Sequence, residues 1–126
     1  MHDISDDRSI SVYLLHFDDA FKGKQHYIGS TQTSRLARRM QEHALGLGSA
    51  TTRRFVRESI GFTVARVWWS SSRDLEKTLK RGAHYTKFCP VCLKEKSPTA
   101  QAHYVARPWS PQSERDWPNK KSVGRS

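Results

Sequence analysis

The stretch Ile10-Ser11-Val12-Tyr13-Leu14-Leu15-His16-Phe17 constrains the fold of this chain more than any other. Read at period two, Ile10, Val12 and Leu14 fall on one face, and Ser11, Tyr13, Leu15 and Phe17 on the other, so apolar side chains occupy both. Such a strand is central or covered. Asp18 to Lys24, with Asp-Asp and Lys-Gly-Lys, has the composition of a turn, and Gln25 to Gly29 returns as a second strand. The pair reads as a hairpin with a longish loop, which brings Tyr13 close to Tyr27.

A Ser/Thr-rich turn after Gly29 leads into a helix from about Arg35, ended by a left-handed cap at Gly46. Arg35, Arg39 and His43 are spaced four apart on one face, and Leu36, Met40 and Ala44 form the neighbouring stripe. One stripe packs and the other is left to face an anion. Gly48 to Thr52 is a small-residue loop whose hydroxyls and amides precede a helix start, a favourable place for phosphate. That helix runs from Arg53 to Ile60 and is closed by Gly61. Phe62 to Trp69 alternates as a third strand, and Ser70 to Ser72 caps a third helix, Arg73 to about Arg81, with Leu75 and Leu79 inward.

These elements predict an α/β domain, a small three-stranded and mainly antiparallel sheet flanked by helices, over residues 9–82. Residues 1–8 read as a flexible N-terminus. Residues 83–126 read as a basic, irregular C-terminal extension with prolines at 98, 108, 111 and 118. The 126 residues have room for one domain of ordinary size.

The formal net charge of +10 favours a polyanionic partner, nucleic acid first. From Arg35 to Arg81 there are eleven Lys and Arg against four Asp and Glu, so the excess lies on the domain itself. No apolar run approaches the roughly 20 residues of a membrane span, and the acidic start lacks the order of a signal peptide. The expectation is a cytoplasmic protein with no membrane partner.

The residues taken together resemble the GIY-YIG endonuclease domain. Tyr27-Ile28-Gly29 reproduces that family's second triplet, and Ser11-Val12-Tyr13 stands at the first, with serine in place of glycine. Arg39 and His43 match the arginine and histidine of the following helix, Gly48 to Thr52 matches the small-residue loop, and Glu76 matches the glutamate of the last core helix. The resemblance implies a metal-dependent endonuclease acting on duplex or branched DNA. In it Tyr13 would be the general base, Arg39 the phosphate stabiliser, and Glu76 the ligand of Mg²⁺ or Mn²⁺. Tyr27 and His43 would position water or phosphate. Arg35, Arg38, Arg53, Arg54 and Lys80 would hold the flanking backbone. With one active site, cutting both strands of a duplex requires a dimer or two successive events.

Each residue also has a purely structural reading. Tyr13 and Tyr27 could be cross-strand aromatics, Arg39 and His43 a solvated basic face, and Glu76 with Lys80 an ion pair worth only ~0.3–0.5 kcal/mol. Their joint occurrence in the family's order favours the site. The alternative is a non-catalytic basic nucleic-acid-binding module with the same fold.

Cys89-Pro90-Val91-Cys92 is half of a zinc site, which His84 and His103 could complete as a structural Zn²⁺ centre. The other readings are inert thiols and, less supported without a βαβ context, a redox pair. At least one ring of Trp68 and Trp69 is expected in the core, whereas Trp109 and Trp117, amid Lys and Arg, are candidates for stacking on bases.

Overall fold

The computed structural model describes residues 9–82, 85–93 and 104–109. Its centre is β1 (Ile10–Phe21), whose residues from Ser11 to Leu15 are all buried. The two-sided apolar pattern thus does what it predicts. Strand β2 (Lys24–Gln32) pairs with one edge of β1 and β3 (Phe62–Ser71) with the other, both antiparallel. A fourth strand, β4 (Tyr104–Pro108), adds antiparallel to β3, giving the order β2-β1-β3-β4. It comes from a stretch that reads as irregular. Its Pro108 is tolerated because β4 is an edge strand and the proline is its last residue.

The hairpin differs from expectation. Instead of a loop over Asp18 to Lys24, β1 continues to Phe21 and the chain reverses through Lys22-Gly23 alone, with φ of 53° and 80°. Two consecutive positive φ values are what a tight type I′ connection requires, and glycine supplies the second without strain. A register shift between His16 and Phe21 absorbs the extra residues.

After β2 a 3₁₀ turn (Thr33–Arg35) leads into α1 (Leu36–Ala44), and Gly46 follows at φ +81° as the expected left-handed cap. Helix α2 (Ala50–Arg57) starts earlier than its sequence suggests. Ser49 Oγ accepts from the Thr52 N–H and Thr52 Oγ1 accepts from the Ser49 N–H, each at 3.1 Å, a reciprocal capping box that pulls the loop into the helix. Helix α3 (Arg73–Gly82) follows β3, and the chain then makes two single-turn helices, α4 (Tyr85–Phe88) and α5 (Pro90–Leu93).

The sheet is covered on both faces. On the first, Tyr13, Leu15, Phe17 and Val64 pack against Leu36 and Met40 of α1 and Phe55 of α2. The Phe17 and Phe55 rings stack 3.7 Å apart and within 3° of parallel. On the second, Val12, Leu14, Ile28 and Ala65 meet Leu79 of α3 and Cys89, with Leu75, Tyr85, Phe88 and Val91 at the margin. Each large side chain so buried contributes about 1.5–3 kcal/mol.

Trp109 belongs to the first core, not to a nucleic-acid surface. Its backbone N–H donates to the Phe62 carbonyl at 3.1 Å and its indole N–H to Gln41 at 3.3 Å. Trp69 packs against the first core and Trp68 against the second. Trp117 lies outside the described residues. Among the described residues no helix is long and apolar enough to cross a membrane.

Candidate functional site

Tyr13 and Gly29 are directly paired across β1 and β2. The phenol lies over the glycine so closely that a Cβ at position 29 would meet Tyr13 Oη at 2.5 Å. The glycine of the Tyr-Ile-Gly triplet is therefore a matter of space, and the tyrosine needs it to reach across the face. There Tyr13 Oη lies 2.7 Å from His43 Nε2, and His43 Nδ1 lies 3.0 Å from Thr52 Oγ1. The proton assignment that satisfies these contacts has Thr52 Oγ1 donating to the Ser49 carbonyl at 3.2 Å. In that assignment Thr52 accepts from His43 Nδ1–H, and the Nε2 lone pair accepts from the Tyr13 hydroxyl.

His43 is thus not on the exposed arginine face. It occupies the buried stripe of α1 with Leu36 and Met40, at spacings of four and three, and is fully buried. Burial, with Arg39 nearby, lowers its pKa to about 3, so the ring is neutral. The Ser49 and Thr52 hydroxyls, expected to offer a phosphate site, are committed to the α2 cap and to His43. Tyr13 is also fully buried. Burial first, and Tyr27 next, raise its phenol above the ordinary value, against the pull of Arg39. A phenol held protonated in the core donates a hydrogen bond and is poorly placed to take a proton from water.

Tyr27 stands beside this pair at the edge of the sheet, only partly buried. Its ring centroid is 6.3 Å from that of Tyr13 and 5.4 Å from that of His43, and Lys80 Nζ lies 5.7 Å from its centre. Helix α3 brings Glu76 to the same edge. Glu76 Oε1 accepts from Ser30 Oγ, and Oε2 pairs with Lys80 Nζ at 3.0 Å. Burial alone would raise the Glu76 carboxyl, but the hydrogen bonds from Ser30 and Lys80 hold it below the usual carboxylate range.

Next to it opens a cleft of about 400 Å³ lined by Ser30, Arg35, Arg38, Arg39 and Arg73, with Glu42 among them. Glu42 partners Arg39 at 2.9 Å and Arg38 at 4.0 Å. Of the expected phosphate-binding residues, Arg35, Arg38 and Arg39 line this cleft, whereas Arg53 and Arg54 are exposed on α2 and are not in its lining. Arg73 and Ser30 were not singled out from the sequence. Arg73 Nη1 donates to Ser30 Oγ at 2.9 Å. The signal was present in the helix, since Arg73, Glu76 and Lys80 fall at i, i+3 and i+7 on one face.

The second face carries a different cluster. His16 and His26, paired across the hairpin, meet Cys89 and Cys92, and one donor atom from each lies within 4.8 Å of the others. This set could hold a metal such as zinc. His84 and His103, expected to complete the cysteine pair, lie outside the described residues. The histidines brought to the cysteines come from the first two strands. Burial lowers the pKa of His26 to about 4 and raises that of Cys89 to about 11. Comparison of the chain with protein families, curated proteins and solved structures finds no match.

Proposed function

We propose that residues 9–82 form a metal-dependent endonuclease of GIY-YIG type that hydrolyses DNA phosphodiester bonds. The observation that carries this reading is that Tyr27, Glu76 and Lys80 stand together at one edge of the sheet, where Ser30, bonded to Glu76, also lines the adjoining arginine-rich cleft. Phosphodiester hydrolysis needs an aimed, deprotonated water and a positive environment for the charge that develops. Arg35, Arg38, Arg39 and Arg73 supply that environment and seat the backbone phosphates.

Proton abstraction falls to Tyr27, the less buried of the two tyrosines. Tyr13 becomes a positioning residue: locked to His43 and laid over Gly29, it fixes the wall against which Tyr27 stands. Glu76 is the residue that would hold Mg²⁺ or Mn²⁺. Each of its oxygens has one protein partner, Ser30 or Lys80, and each keeps a lone pair for a hard cation, with water and phosphate oxygens completing the shell. Such an ion, when bound, acts as a Lewis acid on the leaving 3′ oxygen.

The test is cleavage of plasmid and branched DNA with and without Mg²⁺ or Mn²⁺. Glu76→Ala and Tyr27→Phe are expected to lower the cleavage rate by about 10²-fold or more while DNA binding persists. Tyr13→Phe should cost less than Tyr27→Phe, and the reverse order would return the base to Tyr13. Full cleavage in both Glu76→Ala and Tyr27→Phe would overturn the site. DNA binding without cleavage of any substrate would identify a non-catalytic binding module.

A further inference from the structure

The donor atoms on the second face have the spacing of a coordination shell. His16 Nδ1 lies 3.3 Å from His26 Nε2, 3.4 Å from Cys89 Sγ and 3.6 Å from Cys92 Sγ. Cys92 Sγ lies 3.3 Å from His26 Nε2, and all four atoms are within 4.8 Å of one another. A tetrahedral zinc ion, with Zn–S of about 2.3 Å and Zn–N of about 2.0–2.1 Å, has edges of roughly 3.3–3.8 Å between its ligands. Four of the six edges are therefore already near that length, though the four residues come from two strands and a distant helical turn.

We infer that His16, His26, Cys89 and Cys92 form a closed, structural Zn²⁺ site that fastens the α4–α5 segment to the face of the sheet opposite Tyr13. Two sulfurs and two imidazole nitrogens suit zinc and not magnesium or calcium, which take oxygen ligands. Four protein ligands leave no open position for substrate or water, which makes the site structural. On zinc entry the two thiols lose their protons to solvent. The resulting ion, two thiolates and two neutral imidazoles sum to zero charge, which a half-buried site accommodates.

The local chain is built for this. Pro90 occupies the first position of α5, where its missing N–H is no loss, and Leu93 N–H donates to the Cys89 carbonyl at 3.0 Å. The Cys92 N–H points at Cys89 Sγ at 3.5 Å, the direction that favours a thiolate. Four-residue helices do not hold their shape alone. Tyr85, Phe88 and Val91 nonetheless complete the core in which Leu75 and Leu79 of α3 are seated. A metal joining this segment to β1 and β2 provides the fixation, and through α3 it steadies the helix that carries Glu76. The site stands whether or not the edge that carries Tyr27 and Glu76 cuts DNA.

The experiment uses the full chain purified without chelator. Elemental analysis is expected to find about one zinc per chain. Cobalt exchanged for it should show the visible bands of tetrahedral cobalt with a thiolate charge-transfer band, and X-ray absorption should show two sulfurs and two nitrogens. Cys92→Ser and His26→Ala should each retain less than about a tenth of the zinc, and the double variant His84→Ala, His103→Ala should keep it. Wild-type protein with two titratable thiols, no zinc and no cobalt bands would overturn the inference, as would a disulfide between Cys89 and Cys92. Full zinc in His26→Ala, with loss in the His84, His103 variant, would overturn the ligand set. The wild-type measurements do not depend on any variant folding.

Discussion

The two faces of the sheet each hold a group of polar, titratable side chains anchored in β1, fully buried on the first and, Cys89 apart, half-buried on the second, and they handle it in opposite ways. Behind Tyr13, both ring nitrogens of His43 lie within hydrogen-bond reach of a hydroxyl, Nε2 at 2.7 Å from a phenol and Nδ1 at 3.0 Å from a threonine. The arrangement is complete with protons alone. Behind His16, the four donor atoms of His16, His26, Cys89 and Cys92 lie within 4.8 Å of one another. Under the inferred Zn²⁺ site, a cation would complete that arrangement. Burial of a histidine is therefore not informative by itself; the chemistry of the atoms facing it separates a hydrogen-bonded positioning group from a ligand.

The sharpest way to break this contrast is to damage one face and interrogate the other. Phe55→Ala removes a ring stacked on Phe17 in the first core and should cost about 3–5 kcal/mol by urea denaturation. The cost should be the same with and without a zinc chelator, because the two faces share no side-chain cluster. The chelator should instead remove hydrogen-exchange protection from residues 85–93. A cost that changes with chelator would show the faces coupled through β1.

A second test uses pH. His43 has a pKa near 3 in the folded state and an ordinary value near 6.5 when unfolded. Between these values the unfolded chain binds the extra proton, so His43 contributes stability that is fully present above pH 6.5 and declines as the pH falls toward 3. The slope it adds is at most ~1.4 kcal/mol per pH unit. Denaturation of wild type and His43→Gln across pH 7.5 to 4 should show a shallower decline in the variant. Equal slopes would mean that His43 is not held neutral by burial beside Arg39.

Much of the fold was legible in the sequence because its signals are local. The two-sided apolar run of β1, the return strand at Tyr27 and the cap at Gly46 each follow from a few neighbouring residues. Asp18-Asp19 reads as a turn, but the two positive φ values at Lys22-Gly23 decide where the hairpin reverses. His43 fits both a spacing of four from Arg39 and the apolar stripe of Leu36 and Met40, and only tertiary packing selects the second. The histidine partners of Cys89 and Cys92 lie more than sixty residues upstream, where no spacing rule reaches them. The trace they left is His16 on the face of β1 that otherwise carries Val12 and Leu14.

A smaller effect tests the hydrogen-bonded side alone. Thr52→Val keeps the shape but removes the hydroxyl that partners both His43 Nδ1 and the Ser49 N–H, which should cost about 1–3 kcal/mol. Thr52→Ser, which retains the hydroxyl, should recover most of it. The ¹⁵N chemical shifts of the His43 ring check the proton assignment, and a protonated Nε2 would make Tyr13 the acceptor.

The smallest expected change in stability separates the cleft from the rest of the basic surface. Arg38 lines the cleft and reaches Glu42 at only 4.0 Å from an exposed position, so Arg38→Ala should alter stability by less than ~1 kcal/mol. If the cleft seats phosphates, the same change should lower the salt dependence of DNA affinity by about one unit of slope. Arg54→Ala, exposed on α2 and outside the cleft's lining, should leave that slope nearly unchanged. Equal slopes for the two variants would mean that DNA reads the net charge of the domain and not this cleft. Cleavage would then have to be explained without the arginines that the edge of the sheet brings together.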